Sequence, residues 1–156
     1  GAKPLKIGLI GYGGAGKAIA GFLQQYSDKH QIFLSNRTLP ERKFLDKLKI
    51  NFIEFKKLPS KFEDLDILIN ATSVGSQNSI NERLIEREHL YKLKGSILVY
   101  DIIYDPPETL LLKDAKDFGL NTMNGIEMNL LQAVLAFKHV NNTTLSLKEV
   151  KEIMKS

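Results

Sequence analysis

Cysteine is absent from this chain of 156 residues, so neither disulfides nor thiolate metal sites are available to it. No apolar run is long enough to span a bilayer, which excludes insertion as a membrane helix. No secretory signal precedes the first predicted strand, and a cytoplasmic setting is the expectation. Only three histidines occur, His30, His89 and His139, far apart and without metal-ligand spacing, so no metal site is expected. Repeats, low-complexity tracts and linkers are also lacking. Charge of one sign is not massed: 22 basic residues are interspersed with 18 acidic ones, and the net charge of +4 suits a phosphorylated ligand better than a nucleic acid. With 43% apolar and 26% charged residues, the chain reads as one globular domain with a proper core.

What the chain does have is glycine in one telling place. Gly11-Tyr12-Gly13-Gly14-Ala15-Gly16 follows the apolar run Ile7-Gly8-Leu9-Ile10 and opens a predicted helix over Ala15 to Tyr26, with a second strand at Gln31 to Ser35. In that strand-turn-helix context G-x-G-x-x-G is a phosphate-binding elbow: Gly11 makes the turn, Gly13 admits a pyrophosphate, and Gly16 lets helix and strand lie close. Binding of a dinucleotide follows. The second strand ends Ser35-Asn36-Arg37-Thr38 without the carboxylate that a free ribose 2′-hydroxyl would meet. Arg37 offers a planar fork for a 2′-phosphate, with Asn36 and Thr38 as neutral donors, so NADP is preferred over NAD. The competing reading makes Arg37 a solvated turn residue and Asn36 a turn former.

Alternation continues along the chain. A helix is predicted from Pro40 to Leu48, strands at Asn51 to Phe55, Asp66 to Asn70 and Ser96 to Asp101, a helix from Pro107 to Phe118 ended by Gly119, and a last strand from Leu120 to Met123. The C-terminal third is predicted helical, with Glu127 to Val140 and a capping box at Ser146-Leu147-Lys148-Glu149, whose helix carries Leu147, Val150, Ile153 and Met154 on its apolar side. This is an α/β pattern: a Rossmann-like, doubly wound, mostly parallel sheet with helices on both faces and a helical C-terminus.

Two further segments carry a resemblance. One is Ile69-Asn70-Ala71-Thr72-Ser73-Val74-Gly75; the other is Asp101-Ile102-Ile103-Tyr104-Asp105-Pro106, followed by Thr109-Leu110-Leu111, Ala115, Gly119 and Asn124-Gly125-Ile126-Glu127-Met128, with Gln132 one helical turn on. Together with the glycine loop and Asn36-Arg37-Thr38, they resemble the C-terminal, NADP-binding half of shikimate dehydrogenases. The resemblance implies that Gly11, Gly13, Gly14 and Ala15 hold the pyrophosphate, Asn36, Arg37 and Thr38 the 2′-phosphate, and Thr72, Ser73 and Val74 the length of the cofactor. It also implies that Ile102, Gly125 and Met128 lie at the nicotinamide and that Tyr104 and Gln132 touch a small-molecule substrate, shikimate or 3-dehydroshikimate. The bland readings of Tyr104 and Gln132 are a strand cap and an exposed helix residue.

The chain departs from the resemblance at Tyr12, a large residue in the loop that must turn from the phosphates, and at Glu41, Ser76 and Asn129. Where a basic residue commonly stands stands Glu41, so the clamp would need Arg42 to turn inward. The resemblance further implies a Lys and Asp pair in an N-terminal substrate domain, which this chain, beginning at the first strand, is expected to lack; Gly1-Ala2 reads as a tag remnant. Asp101 and Asp105, the nearest acids, read instead as fixing loop hydrogen bonds and starting a turn. No catalytic residue is therefore expected here, turnover by the chain alone is expected to be undetectable, and the largely apolar Glu127 to Val140 helix is expected to expose a patch that favours dimerisation. The alternatives are a quinate/shikimate dehydrogenase using NAD and a stand-alone dinucleotide-binding module without redox chemistry.

Overall fold

The computed structural model describes residues 3–141 and 144–155, without the side chains of Arg42, Phe44, Met154 and Lys155. The expectations that concerned Gly1 and Ala2, an inward-turned Arg42 and the side chain of Met154 lie outside the described residues.

Strand β1 (Lys6–Ile10) buries both faces, as a short apolar run covered on two sides must. Alternation sends Ile7 and Leu9 to one layer and Ile10 to the other. It pairs in parallel with β2 (Gln31–Asn36) and β4 (Ile67–Asn70); β3 (Asn51–Glu54) lies outside β2, and β5 (Leu98–Asp101) and β6 (Asn121–Met123) outside β4. The six strands run in the order β3-β2-β1-β4-β5-β6, every pair parallel. That order is the doubly wound, Rossmann-like arrangement, with a switch point between β1 and β4.

Helix α1 (Gly14–Leu23) seals one face, where Ala20 packs with Ile7, Leu9, Leu34 and Ile69. The other face is closed by a 3-10 helix (Phe55–Asp64) through Leu58 and Phe62, by α3 (Arg87–Leu90) through Leu90, and by α4 (Leu110–Asp117) through Leu111, Leu112 and Ala115. The 3-10 segment is absent from the sequence expectations, although Phe55, Leu58, Phe62 and Leu65 recur at helical spacing. Pro59, which has no N–H to donate, masks that signal.

Two helix expectations are corrected. The one from Pro40 to Leu48 shrinks to α2 (Arg42–Leu45). The one from Pro107 begins only at Leu110, because Thr109 is buried and extended, its Oγ1 donating to Asp101 and accepting from Leu112 N. At the C-terminus, α5 (Ile126–Asn141) and α6 (Leu147–Lys155) pack together. The capping box forms as expected: Glu149 N donates to Ser146 Oγ at 3.2 Å and Ser146 N donates to Glu149 Oε2 at 2.8 Å.

Candidate functional site

Chain reversal at the end of β1 requires Gly11, whose φ of 102° is a left-handed value. Its N–H donates to Ser35 O at 2.8 Å, which ties the turn to β2. A Cβ on Gly16 would lie 2.2 Å from Gly11 O, so only hydrogen fits where α1 crosses the strand end. Gly13 is the N-cap of α1 and has no side chain to cap it, and no acid stands in the first turn. The first amides of α1 therefore lack intrahelical acceptors, and a Cβ added at Gly13 or Gly14 would meet nothing within 4 Å. This is a positive helix end prepared for an anion. Tyr12 packs against the α1 layer of the core, with Lys17 Nζ 5.6 Å from its ring centroid. It lines a hollow with Asn36 and Thr38.

Beyond β2, the turn holds itself: Asn36 Nδ2 donates to Thr38 O at 2.8 Å. Asn36 is thus a turn former here, with one amide hydrogen still to give. Asn36 and Arg37 line a hollow of about 560 Å³ with Leu39, Phe52, Glu54 and Lys56. Glu41, the acid in place of an expected base, is held by Lys43 at 2.7 Å.

On the far side of the elbow, a buried polar network organises the exits of β4 and β5. Strand register sets Asn70 opposite Asp101. Asn70 Nδ2 donates to Asp101 Oδ1 at 3.0 Å, while Asn70 Oδ1 accepts from Thr72 N at 2.8 Å and from Thr72 Oγ1 at 2.7 Å. Thr72 Oγ1 in turn accepts from Val74 N at 3.1 Å. Asp101 also accepts from Ile103 N at 3.1 Å and from Thr109 Oγ1 at 2.7 Å. Burial pushes the Asp101 carboxyl above its ordinary value, and the hydrogen bonds from Thr109, Ile103 and Asn70 offset only part of that rise. Asp101 thus fixes loop hydrogen bonds, as expected of it. Asn70 and Thr109 had no expected role, because their partnership depends on a strand register that no local pattern reveals.

The network presents the turn Thr72-Ser73-Val74 with Ser73 exposed and Val74 folded into the core, so Val74 offers only backbone outward. Next to it, a hollow of about 340 Å³ is lined by Thr72, Ser76, Gln77, Ile102, Tyr104 and Asp105. Gln77 Nε2 bridges its rim to Asp105 Oδ1 at 2.9 Å. Tyr104 is 51% exposed, so its hydroxyl is accessible. Gly125 belongs to the same end of the sheet: its N–H donates to Ile103 O at 3.0 Å, and a Cβ there would stand 1.8 Å from Ile102 O. Met128 is half-buried on the first turn of α5; Gln132 is exposed on the second and does not line this hollow.

Expected site residues thus fall in one line along the carboxyl ends of the strands: Arg37 at one end, the elbow in the middle, Thr72, Ile102, Tyr104 and Gly125 at the other. Ligands of open α/β sheets lie across such a crevice. Among the described residues there is no group of three or more His, Asp or Glu able to hold a metal ion, and no helix is long and apolar enough to cross a membrane.

Comparison with known proteins agrees with the fold. The model of the shikimate/quinate 5-dehydrogenase family matches residues 2–107. A shikimate dehydrogenase (NADP(+)) of Methanocaldococcus jannaschii is 35% identical over 145 residues, which cover 87% of this chain and 49% of the relative. That of Pyrococcus abyssi is 38% identical over 130 residues, covering 83% and 46%. Among solved structures, a shikimate dehydrogenase in complex with NADP+ superposes with a TM-score of 0.76 at 29% identity, over 97% of this chain and 54% of that one. Quinate dehydrogenase of Corynebacterium glutamicum, in complex with NAD, reaches a TM-score of 0.79 at 23% identity over 97% and 55%, a likeness of fold alone. The chain spans about half the length of the curated relatives it matches.

Proposed function

Since this chain belongs to the shikimate/quinate 5-dehydrogenase family, we propose that it is the NADP-binding half of a shikimate dehydrogenase, which reversibly reduces 3-dehydroshikimate to shikimate. The observation that carries this reading is the uncapped start of α1 between a hollow lined by Arg37 and one lined by Tyr104. Bound NADPH supplies the hydride. The residues present fit that cofactor in charge and space: amides at Gly13 and Gly14 for the pyrophosphate, and Arg37 with the spare donor of Asn36 for the 2′-phosphate.

The chain's own part is orientation. Asn70 and Asp101 hold Thr72 in place, and Gly125 seats α5 against Ile102, so that backbone rather than bulky side chains borders the nicotinamide end. Tyr104 and Gln132 then offer polar groups to the substrate. No side chain here pairs with another as acid and base within that hollow, so the hydroxyl proton is handled outside this chain, by the substrate domain that its family resemblance implies. We assign the exposed apolar face of α5 to contact with that domain. This chain alone does not turn over.

A second reading, with NAD as cofactor, is favoured by Glu54, a carboxylate in the hollow with Arg37 that suits a free ribose hydroxyl. Calorimetric titration with NADP and NAD decides between them. On the first reading NADP binds more tightly, and Arg37→Ala removes about 1–2 kcal/mol of that preference. Equal affinities in the unmodified chain establish the second.

A further inference from the structure

Arg37 and Lys56, which have no hydrogen-bond or ion-pair partner among the described residues, border the hollow at the exits of β2 and β3, and we propose that Lys56 acts with Arg37 as a second cationic contact for the 2′-phosphate of NADP. This deepens the NADP reading and rests on it, but Lys56 belongs to neither the glycine motif nor the Asn-Arg-Thr motif. It enters through the fold: β2 and β3 are parallel with Asn36 opposite Glu54, so Arg37 and Lys56 leave adjacent strand ends and line the same cavity.

Charge pairing singles out Lys56 among its neighbours. Lys57 is held by Glu54 at 3.2 Å and Lys43 by Glu41 at 2.7 Å, so each lysine is matched to a nearby acid. Those pairings also reduce the repulsion that either acid would exert on an incoming phosphate. Arg37 and Lys56 have no hydrogen-bond or ion-pair partner among the described residues. On its other side Lys56 borders a cavity of about 350 Å³ with Arg83, but there the guanidinium is already engaged by Asp114 at 2.8 Å. The uncompensated positive charge is therefore concentrated on the side of Arg37.

Two like charges sharing one cavity raise each other's cost until an anion enters. A phosphate near charge −2 compensates both, whereas a ribose hydroxyl compensates neither, so the pair favours NADP over NAD. The division of labour follows from side-chain chemistry. The Arg37 fork fixes the phosphate's orientation, and the flexible Lys56 ammonium adds a point charge that needs no strict geometry. Lys56 thereby supplies the positive charge that Glu41 does not.

The test is calorimetric titration of NADP and NAD into the unmodified chain, Lys56→Ala, Lys56→Gln and Arg37→Ala, at two salt concentrations, with melting curves to verify folding. Lys56→Ala and Lys56→Gln are each expected to weaken NADP about 3- to 10-fold, to change NAD less than about twofold, and to reduce the salt dependence of NADP binding. If both variants alter NADP and NAD equally, or neither, while Arg37→Ala still weakens NADP selectively, the role of Lys56 is overturned and the NADP reading stands. If Arg37→Ala leaves the NADP preference intact, Arg37 does not hold the 2′-phosphate and the shared contact with Lys56 is overturned; if the unmodified chain binds NADP and NAD equally, or neither, the NADP reading fails and this proposal with it.

Discussion

Adding one methyl group at two glycines of the elbow has opposite expected effects. In a free helix Gly→Ala is stabilising by about 1 kcal/mol. At Gly16 the new Cβ would sit 2.2 Å from Gly11 O, and backbone cannot yield as a flexible side chain does. Overpacking of about 1–3 kcal/mol outweighs the propensity gain, so Gly16→Ala should lower the denaturation midpoint. Gly13, by contrast, has φ −76° and open space where its Cβ would go. Gly13→Ala should keep stability within about 0.5 kcal/mol and weaken NADP about tenfold or more by filling the approach to the phosphates. Titrating both variants while following unfolding in urea separates the effects. A Gly13→Ala protein that binds NADP normally would sink the phosphate assignment. Both glycines were legible from the motif alone, because strand, turn and helix follow one another within a few residues. Lys56 was not, since its relation to Arg37 arises only where two strands lie side by side.

Between elements, the most telling link is the junction of α3 and its preceding loop with α4. Arg83 Nε donates to Asp114 Oδ2 at 2.8 Å, and Arg87 joins Asp114 and Asp117, the latter at 2.9 Å. The Asp114 side chain is only 2% exposed. Its burial raises the carboxyl pKa, but the hydrogen bonds and charges of the two arginines together outweigh that and hold it below its ordinary value of 3.8. The unfolded chain thus takes up the proton first as pH falls. The stabilisation that Asp114 contributes is present above the ordinary value and is lost as pH falls through the lower folded value. Asp114→Asn should cost about 1–2 kcal/mol at neutral pH, allowing for solvent around the arginines. It should also flatten the acid side of the stability curve, measured by urea unfolding between pH 7 and 2. An unchanged acid slope would show that the link contributes nothing. Strands and long helices were readable because apolar runs and caps are local; the start of α4 at Leu110 was not, because it depends on Thr109 meeting Asp101 from another element.

For the whole molecule, α5 leaves unanswered surface. Among its described side chains only Val134 is buried, while Leu131, Leu135, Phe137 and Val140 are exposed. That matches the expectation of an apolar patch, and the proposed occupant is the substrate domain. The chain of these 156 residues by itself should self-associate as concentration rises, which sedimentation velocity detects. Leu131→Glu with Leu135→Glu should suppress the association and change stability by less than about 1 kcal/mol, because exposed positions carry little folding energy. A loss of about 3 kcal/mol or more, as for a buried leucine, would mean that the face is already packed.

Sequence by itself determined the glycine elbow, the parallel α/β class, the basic turn after β2 and the helical C-terminus, since each is written in the spacing of neighbouring residues. The tertiary structure alone decided the strand order, the partnership of Asn70, Asp101 and Thr109, and the placing of Arg37 and Lys56 on one hollow. The physical reason is common to all three. Parallel strands are joined by crossovers, so residues that share a register or a cavity lie far apart in the chain, and only the packed sheet brings their charges and hydrogen bonds together.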